Sequence, residues 1–89
     1  MIAYESAYRA YIEDHGVDSG PSSGSYVSRL RRVSRLLGHD ITPAFLNCEQ
    51  DAQSIASKVS GKLPDHALRD CISAMNQYAA MVREQALAP

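Results

Sequence analysis

The stretch SYVSRLRRVSRLL, residues 25–37, decides the fold because a helix would sort its apolar and charged side chains onto opposite faces. An α-helix turns by about 100° per residue, which places four apolar residues of this stretch on one narrow face. These residues are Tyr26, Leu30, Val33 and Leu37. Gly38 follows at the position where helices commonly end in a left-handed residue. The pattern therefore predicts an amphipathic helix over residues 25–37 with one buried face.

The charged residues of this helix are all basic. Arg31, Arg32 and Arg35 lie opposite the apolar face, and Arg29 lies on its flank. Residues 25–39 hold four of the nine basic side chains and none of the ten acidic ones, although the net charge of the chain is −1. Because guanidinium groups match the geometry of phosphate oxygens, this face is a candidate for contact with a nucleic-acid backbone. A solvated face, partly paired with carboxylates of neighbouring helices, explains the pattern equally well.

Three further segments show helical spacing of apolar residues. We expect helices over residues 2–14, from a cap at Asn47 (with Gln50) to Gly61, and from a cap at Asp65 onward. The last helix carries the longest apolar stripe, formed by Leu68, Cys71, Ile72, Met75, Tyr78, Ala79, Val82 and Ala86. No segment alternates with a period of two. The predicted fold class is therefore all-α, a small bundle of four to five helices.

One segment divides the chain into predicted regions. Residues 16–24, GVDSGPSSG, are rich in Gly, Ser and Pro, which is typical of a flexible linker. It separates an N-terminal helix, residues 1–15, from a helical bundle domain, residues 25–89. We therefore expect the first helix to be an appendage of the bundle.

The first helix carries an aromatic stripe of Tyr4, Tyr8 and Tyr11. Exposed tyrosines can stack on bases or fill the groove of a protein partner, so the three residues are possible aromatic anchors. Packing against the bundle is the favoured interpretation, because stripes with helical spacing are usually buried.

No catalytic or metal site is predicted. The sequence has no phosphate-binding loop, and it offers no nucleophile together with a base and an orienting group. Besides His15, its zinc-capable residues are His39, Cys48, His66 and Cys71, and they lack the close ligand spacing of zinc sites. We therefore expect a protein that is not an enzyme and that uses neither cofactor nor metal.

The start of the chain lacks the basic and apolar regions of a signal peptide, and no apolar run is long enough to cross a bilayer. The expected location is the cytoplasm, without membrane contact. In that compartment the two cysteines, Cys48 and Cys71, are expected to be reduced.

Two segments, SSGSYVSRLRRVSRLLGHDITPAFL (residues 22–46) and HALRDCISAMNQYAAMV (residues 66–82), together resemble a known family. They are similar to the SAM-like, core-binding N-terminal region of tyrosine recombinases and phage integrases, over about residues 22–84. The resemblance implies a bundle of about four helices that clamps DNA through its backbone and has no catalytic residues of its own. It marks Arg29 and Arg32 as candidate phosphate contacts, Tyr26 as structural, and Ser73 as a pattern position.

These residues contain no counterpart of the recombinase catalytic domain, so the expected function is binding. The leading hypothesis is a non-catalytic module, of mobile-element or phage type, that contacts DNA through Arg29, Arg31, Arg32 and Arg35. The alternative is an inhibitor or adaptor that acts on a host nucleic-acid-handling complex of the CRISPR or restriction type. There the arginines would meet an acidic protein surface. The apolar stripe of the last helix can also support a homodimer.

Overall fold

The computed structural model describes residues 2–15 and 23–87. Its helices are α1 (Glu5–His15), α2 (Ser23–Leu37), α3 (Glu49–Val59) and α4 (Asp65–Gln85), with a 3₁₀ turn at Ser60–Lys62. The described ranges contain no strand, and one isolated parallel bridge joins Ile2 to Ile41. The fold is a small all-α bundle, which confirms the predicted fold class. None of the described helices has the length and apolar character needed to cross a membrane.

Helix α2 contacts each of the other three helices and buries three of the four residues of the predicted face, while Leu37 is half-buried. Leu30 and Val33 are completely buried. The buried face is wider than predicted, because it also includes Val27 and Ser34. The Ser34 hydroxyl is satisfied by donating to the His39 carbonyl oxygen at 2.7 Å. Gly38 has a φ of +65°, so it ends α2 in the left-handed conformation that its position predicts.

Helix α4 contributes the longest buried stripe. The predicted positions Cys71, Met75, Tyr78, Ala79 and Val82 are buried, as are Ala67, Ala74 and Met81. Leu68 and Ile72 are half-buried. The prediction that Ala86 extends the stripe is wrong, because Ala86 has a φ of +49° and caps the helix after Gln85.

The prediction that the first helix is an appendage is wrong. Tyr8 and Ile12 of α1 are buried in the same core as α2 and α4. The Tyr8 hydroxyl donates to the Ala74 carbonyl oxygen at 2.8 Å, and its ring lies 5.6 Å from that of Tyr78. The apolar stripe of α1 is removed from water by packing against α2 and α4. The predicted linker falls outside the described residues over positions 16–22, and its last two residues belong to the first turn of α2.

The chain before α1 is extended rather than helical. Ile2 pairs with Ile41, and the Ala3 N–H donates to the Ile41 carbonyl oxygen at 2.8 Å. Tyr4 has a φ of +59°, which turns the chain into α1 at Glu5 instead of residue 2. These contacts fix the start of the chain beside the loop that follows α2.

Two helix caps differ from the predicted ones. Cys48, not Asn47, is the N-cap of α3, and its side chain makes no capping hydrogen bond. The Asp51 carboxylate instead accepts the Asn47 N–H at 3.1 Å. Pro64, rather than Asp65, is the N-cap of α4 because its extended backbone leads directly into Asp65 as the first helical residue.

Candidate functional site

The packing of α2 determines where its arginines lie. Leu30 and Val33 face the core, so the opposite side of the helix projects into solvent. Arg31, Arg32 and Arg35 are exposed and Arg29 is half-buried on the flank, as their spacing predicts. The four guanidinium groups nevertheless have different surroundings.

Arg31 is held by a carboxylate from α1. Its Nε donates to Glu5 Oε1 at 3.2 Å, and its Nη2 donates to Glu5 Oε2 at 2.9 Å. The two side chains are 53% and 33% exposed, and such exposed pairs contribute only about 0.2–1 kcal/mol to stability. Of the two interpretations of the basic face, pairing with a carboxylate of a neighbouring helix is therefore correct for Arg31, and its contact with a partner stays a prediction.

Arg29 is packed against its neighbours. Its guanidinium carbon lies 4.8 Å from the centre of the Tyr26 ring, and its Nη2 lies 3.9 Å from Asp70 Oδ2. Tyr26 in turn places its hydroxyl 3.4 Å from Ser73 Oγ. Arg29 therefore joins α2 to α4, and its role as a phosphate contact stays a prediction.

Arg32 and Arg35 differ from these two residues. Neither forms an ion pair with a carboxylate of residues 2–15 or 23–87. They lie three positions apart, which corresponds to a rise of about 4.5 Å along the helix. Lys62 adds a charge at the same end of α2, because its Nζ donates to the Leu36 carbonyl oxygen at 3.2 Å. Arg32, Arg35 and Lys62 form what we call the cationic cluster.

An open cleft of about 470 Å³ lies at the C-terminal end of α2. Its lining residues are Arg31, Ser34, Arg35, Gly38, His39 and Asp40. The exposed His39 ring stacks on Phe45, with ring centres 4.2 Å apart and planes inclined by 21°. The Nδ1 atom of His39 lies 2.7 Å from the Asp40 carbonyl oxygen, which further fixes the ring. Two arginines and a histidine therefore border one opening.

Two of the three possible aromatic anchors lie in the core. Tyr8 is 0% and Tyr11 is 4% exposed, so neither reaches a partner and the packing interpretation is correct for both. The Tyr11 hydroxyl donates to Glu84 Oε2. Burial, reinforced by this hydrogen bond, raises the pKa of Tyr11 to about 12. Tyr4 is 42% exposed and stays a candidate anchor.

The cysteines are free thiols, with Cys71 buried and Cys48 half-buried. Burial raises the pKa of Cys71 above its ordinary value, so this thiol stays protonated and unreactive near neutral pH. Within residues 2–15 and 23–87, no group of three or more His, Cys, Asp or Glu side chains is placed to hold a metal ion.

Sequence reasoning missed two residues of this surface. It weighs His39 only as a zinc ligand and does not single out Lys62. For His39 the signal was present, because the apolar Ile41, Phe45 and Leu46 must close the end of the bundle, which places the preceding turn beside the end of α2. No local signal brings Lys62 to the Leu36 carbonyl, which lies 26 positions away.

Comparisons of the chain with protein-family models, with curated proteins and with solved structures gave no match. The resemblance to recombinase core-binding regions therefore stays a prediction. Conclusions about function rest on the geometry of α2 and its surroundings.

Proposed function

We propose that this protein is a small, non-catalytic binding module that contacts the phosphate backbone of nucleic acid through α2. One observation carries the proposal: Arg32 and Arg35 pair with no carboxylate of residues 2–15 and 23–87, on a helix that has no acidic residue in a chain with ten acidic side chains. Lys62 extends their positive charge at the same end of the helix. Phosphate oxygens are the natural acceptors for such a group of donors.

The size of the cationic cluster predicts weak, salt-sensitive binding. Each phosphate that a protein neutralises on duplex DNA contributes about −0.9 to the slope of log K against log salt concentration. Three contacts give a slope of about −2.7, which corresponds to a loss of roughly 40-fold in affinity between about 50 and 200 mM salt. Contacts of this kind position a protein on nucleic acid without reading its sequence.

Two further features support the proposal. The resemblance of residues 22–84 to recombinase core-binding regions implies backbone contact without catalysis, in a module of mobile-element or phage type. The two free thiols agree with action in the cytoplasm, where cysteines stay reduced.

The test replaces Arg32 and Arg35 together by Glu and measures anisotropy of a fluorescent duplex oligonucleotide at low salt. The matched control is Arg69→Glu with Arg83→Glu, which makes the same change in net charge on exposed positions of α4. Arg31 is left intact because its replacement would also break the pair with Glu5.

We expect the α2 variant to lose at least tenfold in affinity and the α4 variant to lose less than threefold, with equal helicity by circular dichroism. Equal losses in both variants would show that net charge, not α2, governs binding. A wild-type protein with no salt-dependent binding at all would remove the proposal.

The pairing of Arg31 with Glu5 favours a second candidate. It shows that this face accepts a carboxylate in bidentate geometry, and the exposed Tyr4 lies next to Glu5 in the chain. A module with these features could dock on an acidic protein surface, as an inhibitor or adaptor of a host nucleic-acid-handling complex does. A stoichiometric protein partner that survives nuclease treatment, and that the Arg32/Arg35 variant loses, would support this candidate over the first.

A further inference from the structure

We propose that the cleft at the C-terminal end of α2 binds one nucleotide unit of single-stranded nucleic acid, with its phosphate at Arg35 and Arg31 and its base on the ring of His39. This inference rests on the proposed contact with nucleic-acid backbone. It goes further by naming the ligand as a strand whose bases are accessible, rather than a duplex.

The His39 ring is held in a fixed orientation on which a planar group can stack. Phe45 supports one side of it at a centre-to-centre distance of 4.2 Å, and the contact of Nδ1 with the Asp40 carbonyl oxygen limits its rotation. The ring is exposed, so a planar group can stack on it. Stacking of a base on an aromatic side chain raises affinity by roughly 5- to 150-fold and tolerates every base, since each has a π face.

The phosphate position lies between two guanidinium groups. Arg31 and Arg35 are four residues apart, so they project from adjacent turns on the same side of α2, about 6 Å apart along its axis. Glu5 engages only Nε and Nη2 of Arg31. A guanidinium has five N–H donors, so three of those on Arg31 remain for a phosphate. The pair with Glu5 therefore orients Arg31 without blocking it.

The dimensions and charges of the cleft agree with this ligand. Its volume of about 470 Å³ lies within the roughly 300–1,000 Å³ of small-molecule sites. Asp40 is the one carboxylate among its lining residues, so the anionic group belongs at the arginine side, away from Asp40. In a duplex the base faces are covered by their neighbours, and His39 would find no face to stack on.

The experiment compares three labelled 12-mers by fluorescence anisotropy at about 50 mM salt: oligo-dT, an abasic strand with the same phosphates, and the dT·dA duplex. We expect the wild-type protein to bind oligo-dT at least fivefold more tightly than the abasic strand or the duplex. His39→Ala should abolish this preference and leave the salt dependence unchanged, whereas His39→Phe should restore it. The control His66→Ala, at an exposed histidine of α4, should change nothing.

A second measurement uses the unaltered protein and so does not depend on how the variants fold. When oligo-dT is titrated into it, the Cε1–H proton resonance of His39 should move upfield through the ring current of a stacked base, and that of His66 should not. The abasic strand should leave both resonances nearly in place.

The outcomes separate the two proposals. If none of the three oligonucleotides binds, both the proposed function and this inference are wrong. If all three bind equally, if the duplex binds best, or if the preference for oligo-dT persists in His39→Ala, backbone binding stands and the nucleotide site at His39 is overturned.

Discussion

The pair Arg29 and Arg31 and the pair Arg32 and Arg35 lie on the same helix, yet they have opposite surroundings. The first pair is engaged by Tyr26, Asp70 and Glu5, while no carboxylate in the described part of the chain pairs with the second. The difference arises because α4 brings Asp70 to one flank of the buried face of α2 and α1 brings Glu5 to the other, whereas Arg32 and Arg35 lie opposite that face. A run of basic residues thus predicts which face of a helix is exposed. The packing of neighbouring helices decides which of those charges remain for a partner.

The largest expected effect comes from removing the buried face on which both pairs depend. Leu30 is completely buried between the helices, so Leu30→Ala should lower the free energy of unfolding by about 2–5 kcal/mol. Urea denaturation measures this loss. Leu36→Ala, at a half-buried position of the same helix, is the control and should cost clearly less. Equal losses would mean that the apolar face of α2 is assigned wrongly.

A second prediction concerns the docking of α1, which brings Glu5 to Arg31. The pKa of Tyr11 is raised to about 12, from an ordinary value near 10, by burial and by its hydrogen bond to Glu84. Between pH 10 and 12 the unfolded state therefore binds fewer protons at Tyr11 than the folded state, and stability falls as the pH rises. The stability that Tyr11 contributes is fully present below pH 10. Between pH 10 and 12 it is lost at about 1.4 kcal/mol per pH unit.

Burial raises the pKa of Tyr78 to about 12 as well, so a single substitution should remove part of the slope. We expect Tyr11→Phe to flatten the plot of unfolding free energy against pH above pH 10. Urea titrations at pH 9, 10 and 11 test this. An unchanged slope in Tyr11→Phe would contradict the buried position of that hydroxyl.

A third prediction compares one residue of each pair, Arg29 and Arg32, in its effect on stability and on oligonucleotide binding. Arg29→Ala should lower the free energy of unfolding by about 1 kcal/mol, because it removes packing and the contact with the Tyr26 ring. Arg32→Ala should change it by less than about 0.5 kcal/mol. In oligonucleotide binding the order should reverse, with the larger loss for Arg32→Ala. The same order in both measurements would refute the division of roles.

The smallest expected effect comes from Glu5→Gln, which tests whether the ion pair with Glu5 keeps Arg31 from contributing its charge. Glu5→Gln removes the charge of an exposed ion pair, which costs about 0.2–1 kcal/mol of stability. The released charge on Arg31 then adds to the cationic cluster, so the salt slope of duplex binding should steepen by about 0.9. Glu13→Gln, an exposed acid further along α1, is the control for net charge. The same steepening in both variants would exclude a specific role for Glu5.

Periodicity alone predicts much of this fold. The inward face of α2, the left-handed conformation of Gly38 and most of the α4 stripe follow from spacing that the sequence displays directly. What spacing does not predict is contact between distant segments. Glu5 and Arg31 are 26 positions apart, across a stretch whose composition suggests an independent first helix.

For the same reason the exposure of the arginines was predicted from the sequence and their pairing was not. Local pattern identifies four exposed or flanking arginines, but pairing depends on where other helices place their carboxylates. The tyrosine stripe of α1 shows the reverse case, since its spacing favours burial and both Tyr8 and Tyr11 are buried.

The salt dependence of duplex binding by the double variant Arg32→Ala with Arg35→Ala tests the central claim most directly. If these two residues are the unpaired charges that meet phosphate, the slope of log K against log salt concentration should fall from about −2.7 to about −0.9. Arg29→Ala should leave the slope at the wild-type value. A double variant with an unchanged slope would contradict the account.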